Sequence, residues 1–440
     1  MKVSELYIKK YHQFENFTLN LTYPEGHPKA GKPLDKVCFI GQSGTGKTTL
    51  LKILSEVIIE VVSFEYGGEA DFIDVDYGKI RIDFVFEDII INSCILKPSF
   101  SVSTWNYQMN FLNNSWTSFW EHNPNFRIIM SSSEMSLNDT SKEKNENSFN
   151  KKDFIFFLEY HSLKDYWQAM NEEVTTYRET LIKKSLEIAE IAQKLNFNPQ
   201  VLDKATDEFR KWREETPNPI QDLVDNYLDK IIGRFNLKVK TELDFEKKED
   251  IETIKIQQKN GKEIPFEALS IGTKQVILTA LPLYGLKPKD SIILFDEPER
   301  SLYPDIQTEI VDFYTSMSEN SQFFFATHSP LVAASFEPWE IIELKFNEET
   351  GNVEQELYYD IEKGRHVDNY TIYPQYLTYD GILKRVFDMK KEPNSLRMNE
   401  LVKLATLESQ LKHNDLSPEA KKEKFEEYKK IADQLDWDLK

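Results

Sequence analysis

The sequence predicts an α/β fold with a mixed β-sheet core, and three observations lead to this prediction. Two early segments, 3–8 and 14–21, alternate apolar and polar residues and predict an antiparallel β subdomain. A glycine-rich loop at 41–48 is followed by apolar residues at helical spacing as far as Val62. Three short apolar runs are typical of buried parallel strands, and they lie at 36–40, 291–295 and 322–326.

The chain of 440 residues divides into four predicted parts. Residues 1–100 form the first half of the core domain, and residues 236–345 form its second half. Residues 101–235 are an insertion, with a flexible loop at about 131–152 that is rich in Ser, Asn, Glu and Lys, followed by helices. Residues 346–440 are a C-terminal extension that ends in short charged helices. Partner docking, oligomerisation and simple closure of the fold are open interpretations of this extension.

Composition excludes several classes of protein. With 54 Lys and Arg against 74 Asp and Glu, the net charge of −20 works against non-specific binding of nucleic acid, although a local basic patch among the lysines of residues 9–36 stays open. No apolar stretch is long enough to cross a bilayer, and the N-terminus lacks the pattern of a signal peptide. Cys38 and Cys94 indicate neither a disulfide framework nor a metal site. We therefore expect a cytoplasmic protein with no membrane association.

The glycine-rich loop has the composition of a phosphate loop. Its glycines allow consecutive backbone N–H groups to face one concavity at the positive end of the following helix, where phosphates bind. Lys47 is expected to bind the β and γ phosphates of ATP and to act in catalysis, and the Thr48 hydroxyl to bind Mg²⁺. The predicted ATP-binding residues here are Gly41, Gln42, Ser43, Gly44, Thr45, Gly46, Lys47, Thr48 and Thr49.

Two carboxylates end the second apolar run, at Asp296 and Glu297. Beside a phosphate loop, Asp296 is expected to hold Mg²⁺, directly or through water. Glu297 is expected to face the opposite side and to act as the general base that polarises the attacking water. The alternative is a strand that ends in a solvated acidic pair.

Two further elements can contribute to the same site. His328 follows the third apolar run, and ligands in such sheets bind beyond the carboxyl ends of the strands, so we predict a catalytic role for it beside the γ-phosphate. A helix starts near Ser270 and Gly272, with Ser270 as a plausible cap and Gly272 suited to close backbone approach.

The order of these four elements resembles the ABC-type ATPase head of the SMC proteins, the zinc-hook repair ATPases, RecF and the overcoming-lysogenization-defect (OLD) proteins. In this resemblance 269–275 corresponds to the signature motif, 292–297 to the Walker B strand and His328 to the switch histidine, and Glu299 to Pro304 resembles the D-loop of the OLD branch. The chain departs from many members at Ile271, where they have glycine. Gln108 is a candidate for the Q-loop glutamine.

The resemblance implies that two heads pair face to face, as a dimer or within a higher homo-oligomer. Each ATP would then lie between the phosphate loop of one subunit and the signature helix of the other, where Ser270 and Gly272 would contact the γ-phosphate. Hydrolysis is therefore expected to be slow and to depend on assembly.

Three biological roles compete. The chain is most similar to the compact ATPase subunits of bacterial antiphage systems such as Septu and PARIS, which implies a nucleotide-dependent switch for a separate effector, such as a nuclease, with nucleic acid bound through that partner. The alternatives are a DNA-repair ATPase of the RecF or zinc-hook kind, or an OLD-like ATPase without its own nuclease domain, and a transporter's nucleotide-binding subunit. The insertion is too short for a coiled-coil arm and has no paired-cysteine hook, whereas a transporter subunit would have no such insertion. The tail has no Asp-x-Asp pair until 436–438, so we expect no intrinsic nuclease.

Overall fold

The structure, a computed structural model, describes most of the chain. The described residues are 2–65, 80–86, 89–91, 123–131, 155–158, 160–194, 198–216, 218–219, 221, 224–241, 254–360, 365–367, 373–387, 389, 395–412, 417–435 and 437. Gln108, Cys94 and all but the first residue of the segment predicted to be flexible, 131–152, lie outside them.

Sixteen strands are present in the described residues. Their bounds are β1 Lys2–Tyr11, β2 Phe14–Asn20, β3 Lys36–Gly41, β4 Ile80–Phe86, β5 Ile89–Ile91, β6 Ile128–Ser131, β7 Ile155–Leu158, β8 Leu237–Val239, β9 Ile256–Gln258, β10 Glu263–Ile264, β11 Ile292–Asp296, β12 Gln322–Ala326, β13 Ile341–Phe346, β14 Val353–Glu356, β15 Tyr358–Asp360 and β16 Arg365–Val367.

The described part of the chain also forms eleven α-helices. They are α1 Lys47–Glu65, α2 Tyr160–Gln193, α3 Pro199–Glu215, α4 Asp229–Ile232, α5 Ile271–Leu286, α6 Pro304–Gln307, α7 Ile310–Thr315, α8 Pro330–Ala333, α9 Tyr379–Arg385, α10 Ser395–Lys412 and α11 Pro418–Leu435. A π-helical turn spans Val224–Leu228, and 3₁₀ turns span Gly233–Phe235, Phe266–Ala268, Pro338–Glu340 and Pro374–Tyr376. None of the described helices has the length and apolarity that a membrane span requires.

The central sheet has seven strands in the order β14-β13-β3-β12-β11-β6-β7. Every neighbouring pair is parallel except β13 and β14, which are antiparallel, so the predicted α/β fold with a mixed sheet is confirmed. The three predicted apolar strands are β3, β12 and β11, and they lie side by side. Their residues are almost entirely buried, which explains why these runs lack polar alternation.

A second sheet is antiparallel, with the order β2-β1-β4-β5. The predicted pair β1–β2 is present, with Leu6 opposite Leu19. One hydrophobic cluster includes Leu6 of this sheet, Leu50 of α1 and Phe39 of the central sheet, all fully buried. This packing holds α1, and the loop that precedes it, against both sheets.

Smaller elements lie outside these two sheets. Strands β8, β9 and β10 form a three-stranded antiparallel sheet, and β15 pairs with β16. In the insertion α2 packs against α3 and also contacts α5. Trp167 of α2 stacks on Phe266 at a centroid distance of 4.7 Å, just ahead of α5.

The chain divides into two compact units, Met1–Leu377 and Thr378–Lys440. In the second unit α10 and α11 pack through a small apolar core that includes Leu404, Leu407 and Ile431. Their bounds agree closely with the two charged helical segments that the sequence predicts at its C-terminal end.

Candidate functional site

The predicted phosphate loop connects β3 to α1, and two of its glycines are required by the backbone. Gly41 has a φ of 142°, and a Cβ there would lie 2.4 Å from the carbonyl oxygen of Leu344. Gly46 has a φ of 90°, and its Cβ would lie 2.3 Å from Nε2 of Gln13. Any other residue at either position would combine an unfavourable φ with a steric clash.

The rest of the loop is open to solvent at its tip and anchored at its base. Residues 42–44 are exposed, whereas Thr45 is fully buried and its hydroxyl donates to the carbonyl of Gln42 at 2.8 Å. Thr49 is half-buried in the first turn of α1. The tip therefore leaves backbone N–H groups accessible at the start of a long helix, which is a favourable place for an anion.

Lys47 turns back over this loop. Its Nζ donates to the carbonyl oxygens of Gly41 at 3.0 Å and Gln42 at 3.2 Å, and the residue is only 6% exposed. Burial lowers the pKa of Lys47 to about 8, although the charges of Glu297 and Asp296 oppose this shift. The ammonium group thus lies within the loop, with two carbonyl contacts that an incoming phosphate can replace.

Thr48 and Asp296 are 248 residues apart in sequence and are in direct contact. The Thr48 hydroxyl lies 3.1 Å from Oδ1 and 2.9 Å from Oδ2 of Asp296. The contact follows from the sheet, because Asp296 of β11 is opposite Ala326 of β12, which is opposite Phe39 of β3. A hydroxyl and a carboxylate are hard oxygen ligands at the foot of a phosphate loop, so these residues fit Mg²⁺, and Thr48 and Asp296 would hold it.

Glu297 leaves the strand in an unusual backbone conformation. Its φ is 48°, and its N–H still donates to the carbonyl of Ala326 at 2.8 Å. A positive φ is uncommon for glutamate and is found often at functional sites. Asp296 is 3% exposed, whereas the Glu297 side chain is 34% exposed, so the two adjacent carboxylates differ in their access to solvent.

His328 faces Glu297 across the carboxyl ends of β11 and β12. Its Nε2 lies 3.8 Å from Oε1 of Glu297. Burial lowers the pKa of His328, and the charge of Lys47 lowers it further, against the opposing effect of Glu297 and Asp296. A neutral imidazole at neutral pH can both donate and accept a hydrogen bond.

At the start of α5, contacts within the chain account for both Ser270 and Gly272. Ser270 is exposed and caps the helix, because its Oγ accepts the N–H of Thr273 at 3.2 Å. Gly272 is buried, and a Cβ there would lie 2.3 Å from the carbonyl oxygen of Ser301. The Ser270 hydroxyl contacts Thr273 of its own helix, and a direct role of this helix start at the phosphate loop stays a prediction.

Glu299 begins the segment that resembles the D-loop, and the sequence assigns it no role of its own. It is 7% exposed, and Oε1 accepts the Thr327 hydroxyl at 2.5 Å and the His328 N–H at 3.3 Å. Burial raises the pKa of Glu299, and these hydrogen bonds oppose the shift. Its sequence signals are that resemblance and its place two residues after Glu297.

The comparisons with known proteins identify one family. A family model described as an AAA domain, putative AbiEii toxin, type IV toxin–antitoxin system matches residues 36–334, which is more than half of the chain and includes every predicted site residue. No curated protein sequence matches this chain.

Solved head domains of SMC proteins resemble the structure weakly. The head from Pyrococcus furiosus, bound to the C-terminal domain of ScpA, has a TM-score of 0.41 at 13% identity over 82% of this chain and 97% of its own. The head from Thermotoga maritima has a TM-score of 0.39 at 12% identity over 81% and 98%. The head with a coiled coil and joint from Pyrococcus yayanosii has a TM-score of 0.39 at 13% identity over 89% and 100%. Likenesses of this size carry no argument about function.

Proposed function

Because this chain belongs to the AAA-domain family whose model matches residues 36–334, we propose that it is a Mg²⁺-dependent ATPase with an ABC-type head. The observation that carries the proposal is the meeting of distant residues at the ends of adjacent strands. The Thr48 hydroxyl touches Asp296, and His328 faces Glu297, beside the buried ammonium group of Lys47.

Each side chain then has a defined role. The loop N–H groups and Lys47 bind the phosphates of ATP, and Thr48 with Asp296 would hold Mg²⁺. Bound there, the ion would neutralise charge on the β and γ phosphates. Glu297 accepts a proton from the attacking water, because it is the more solvent-exposed carboxylate. His328, when neutral, donates a hydrogen bond to the γ-phosphate.

The metal requirement is tested by replacing Thr48 with valine. This change removes the hydroxyl that contacts Asp296 and keeps the β-branched shape, so we expect the Mg²⁺ concentration for half-maximal ATP hydrolysis to rise about tenfold or more. The measurement is phosphate release against Mg²⁺ concentration. Ser55→Ala is the matched control, since it removes a hydroxyl that donates to the carbonyl of Lys52 on the same helix. An unchanged Mg²⁺ dependence in Thr48→Val would contradict the assigned ligand.

We propose further that hydrolysis requires two copies of the chain, with Ser270 and Gly272 of one acting on the ATP of the other. Support comes from the exposed start of α5, where Ser270 is open to solvent and Ile271 is 57% exposed. Such a surface is available to a second molecule.

The shared site is tested with a mixture of two inactive variants. Ser270→Arg alone is expected to abolish turnover, because the bulky cation blocks the exposed helix start. Mixing Ser270→Arg with Lys47→Ala is expected to restore part of the activity, since one of the two sites then has an intact loop and an intact helix start. Full activity of Ser270→Arg alone, or a mixture that stays inactive although the two variants associate, would exclude the shared site.

For the biological role, we propose a nucleotide-dependent sensor or assembly switch for a separate effector, most simply a nuclease, in bacterial antiphage defence. The lengths of the two long helices support a compact subunit. Helix α2 has 34 residues and α3 has 17, which is too short for a coiled-coil arm. Nucleic acid would bind through the partner. A RecF-like or zinc-hook-like repair ATPase, or an OLD-like ATPase without its own nuclease, is the competing proposal.

Two measurements separate these roles. Co-purification from the native host followed by mass spectrometry should identify a nuclease partner, whereas tight binding of duplex DNA by the purified chain at moderate salt would favour repair. DNA or RNA cleavage by the purified chain with Mg²⁺ or Mn²⁺ would contradict the expectation of a separate nuclease.

A further inference from the structure

Glu299 is a buried carboxylate that lies directly behind the candidate catalytic pair. Its side chain is 7% exposed, whereas that of Glu297 is 34% exposed. Oε2 is fully buried and has no hydrogen-bond partner in the described part of the chain. Burying a carboxylate with one unsatisfied oxygen destabilises the folded state, so its presence calls for an explanation other than stability.

The other oxygen of Glu299 is anchored by Thr327, the residue that directly follows β12. Thr327 is fully buried, and its N–H donates to the carbonyl of Phe39 in β3 at 3.1 Å. Its hydroxyl accepts the N–H of Ser329 at 2.8 Å and lies 2.5 Å from Oε1 of Glu299. A hydroxyl has one proton and two lone pairs, so Thr327 can accept from Ser329 and donate to Glu299 at the same time.

The same oxygen also holds the backbone of His328. The His328 N–H donates to Oε1 of Glu299 at 3.3 Å, while the imidazole of His328 lies 3.8 Å from Glu297. Glu299 therefore contacts both Thr327 and His328 in the turn that presents the imidazole. A shift of this turn would change the distance between His328 and Glu297.

A second connection runs from this turn to the start of α5. The Ser329 hydroxyl donates to Oε1 of Gln307 at 2.6 Å, and Nε2 of Gln307 donates to the carbonyl of Leu302 at 2.8 Å. The adjacent carbonyl, that of Ser301, is the group against which Gly272 packs. The turn after β12 and the turn after β11 are thus joined by a continuous set of hydrogen bonds.

We propose that Glu299 is a positioning residue of the nucleotide site, which anchors the His328 turn through Thr327 and joins it to the turn that supports the start of α5. This inference rests on the proposed ATPase function. Glu299 is not expected to contact ATP, so its loss should affect the catalytic step and not ATP binding. Loss of the anchor should lower kcat and leave the affinity for ATP unchanged.

The test uses the full chain and variants that keep side-chain volume. Glu299→Gln replaces the carboxylate with a weaker acceptor and places an NH₂ group where Oε2 has no partner. Thr327→Val removes the hydroxyl, and Thr327→Ser retains it. We expect kcat to fall about tenfold or more in Glu299→Gln and in Thr327→Val, and to stay within about twofold of wild type in Thr327→Ser.

Two further readouts distinguish positioning from a general structural role. The Kd for ATP with Mg²⁺, measured by calorimetry, is expected to stay within about threefold of wild type in all variants. The double variant Glu299→Gln/Thr327→Val is expected to lose less kcat than the product of the two single losses, because both changes weaken the contact that Glu299 and Thr327 share. Glu309→Gln is the control, since this exposed carboxylate pairs with Arg234 away from the site.

The outcomes separate this inference from the function on which it rests. If the wild-type protein hydrolyses ATP and either Glu299→Gln or Thr327→Val keeps full kcat, the inference is wrong and the proposed function stands. Multiplicative effects in the double variant, or a loss of ATP affinity in proportion to kcat, would likewise overturn it. A wild-type protein that neither binds nor hydrolyses ATP would overturn the proposed function, and this inference with it.

Discussion

Replacing Glu297 with glutamine is expected to lower the rate of ATP hydrolysis about 100- to 10 000-fold, which is the usual contribution of a general base. The amide keeps the size of the side chain but cannot accept the proton of the attacking water. ATP binding should persist, because Lys47, Thr48 and Asp296 are unchanged. The protein should therefore accumulate with ATP bound, and any ATP-dependent assembly should become long-lived.

Two measurements check this result. Phosphate release gives the rate, and size-exclusion chromatography with radiolabelled ATP gives the nucleotide that co-elutes and the mass of the assembly. Glu319→Gln is a suitable control, since this exposed carboxylate pairs with Lys289 at 2.9 Å. A Glu297→Gln protein that turns over ATP normally, or that fails to bind ATP, would show that the base is assigned to the wrong residue.

Replacing Lys47 with alanine is expected to weaken ATP binding about 10- to 100-fold and to reduce turnover to background. The reason is that the buried ammonium group supplies charge-assisted hydrogen bonds, each of which contributes about 1.5–3 kcal/mol. Lys52→Ala is the matched control, because Lys52 lies on the same helix and is exposed. Equal ATP affinity in Lys47→Ala and Lys52→Ala would contradict the assigned role.

The same residue makes a prediction about pH. The pKa of Lys47 is lowered to about 8 by burial, so without nucleotide the side chain loses its charge as the pH rises through this value. Phosphates bind the charged form, and the affinity of the wild-type protein for ATP should therefore fall above about pH 8 and change little below it. Titration calorimetry at pH 7 and pH 9 measures the difference, and Lys47→Ala should not show it.

Much of the site could be predicted because its elements are local in sequence. Residues 41–48 form a contiguous loop between a strand and a helix, and Asp296 and Glu297 follow an apolar run directly. The family match confirms the predicted ATPase class. Gly41 and Gly46 have a positive φ and close neighbours, which is what a loop rich in glycine indicates.

Other parts could not be predicted because they depend on contacts between distant segments. Glu299 is buried and is bonded to Thr327, 28 residues away, and its neighbours in sequence do not indicate that burial. The sequence predicts that Gly272 contacts the γ-phosphate of an ATP bound by a second subunit. The structure adds a contact within the chain, since only glycine fits against the carbonyl of Ser301.

The sequence by itself determined that this protein has a phosphate loop, two acidic residues and a histidine at the ends of buried strands. Local apolar runs and backbone requirements are encoded in adjacent residues, which is why these features are readable. Only the tertiary structure decided that β3, β12 and β11 are neighbours, because strand order depends on pairing between segments hundreds of residues apart. That order brings Thr48 to Asp296 and His328 to Glu297, and it buries Glu299 behind them.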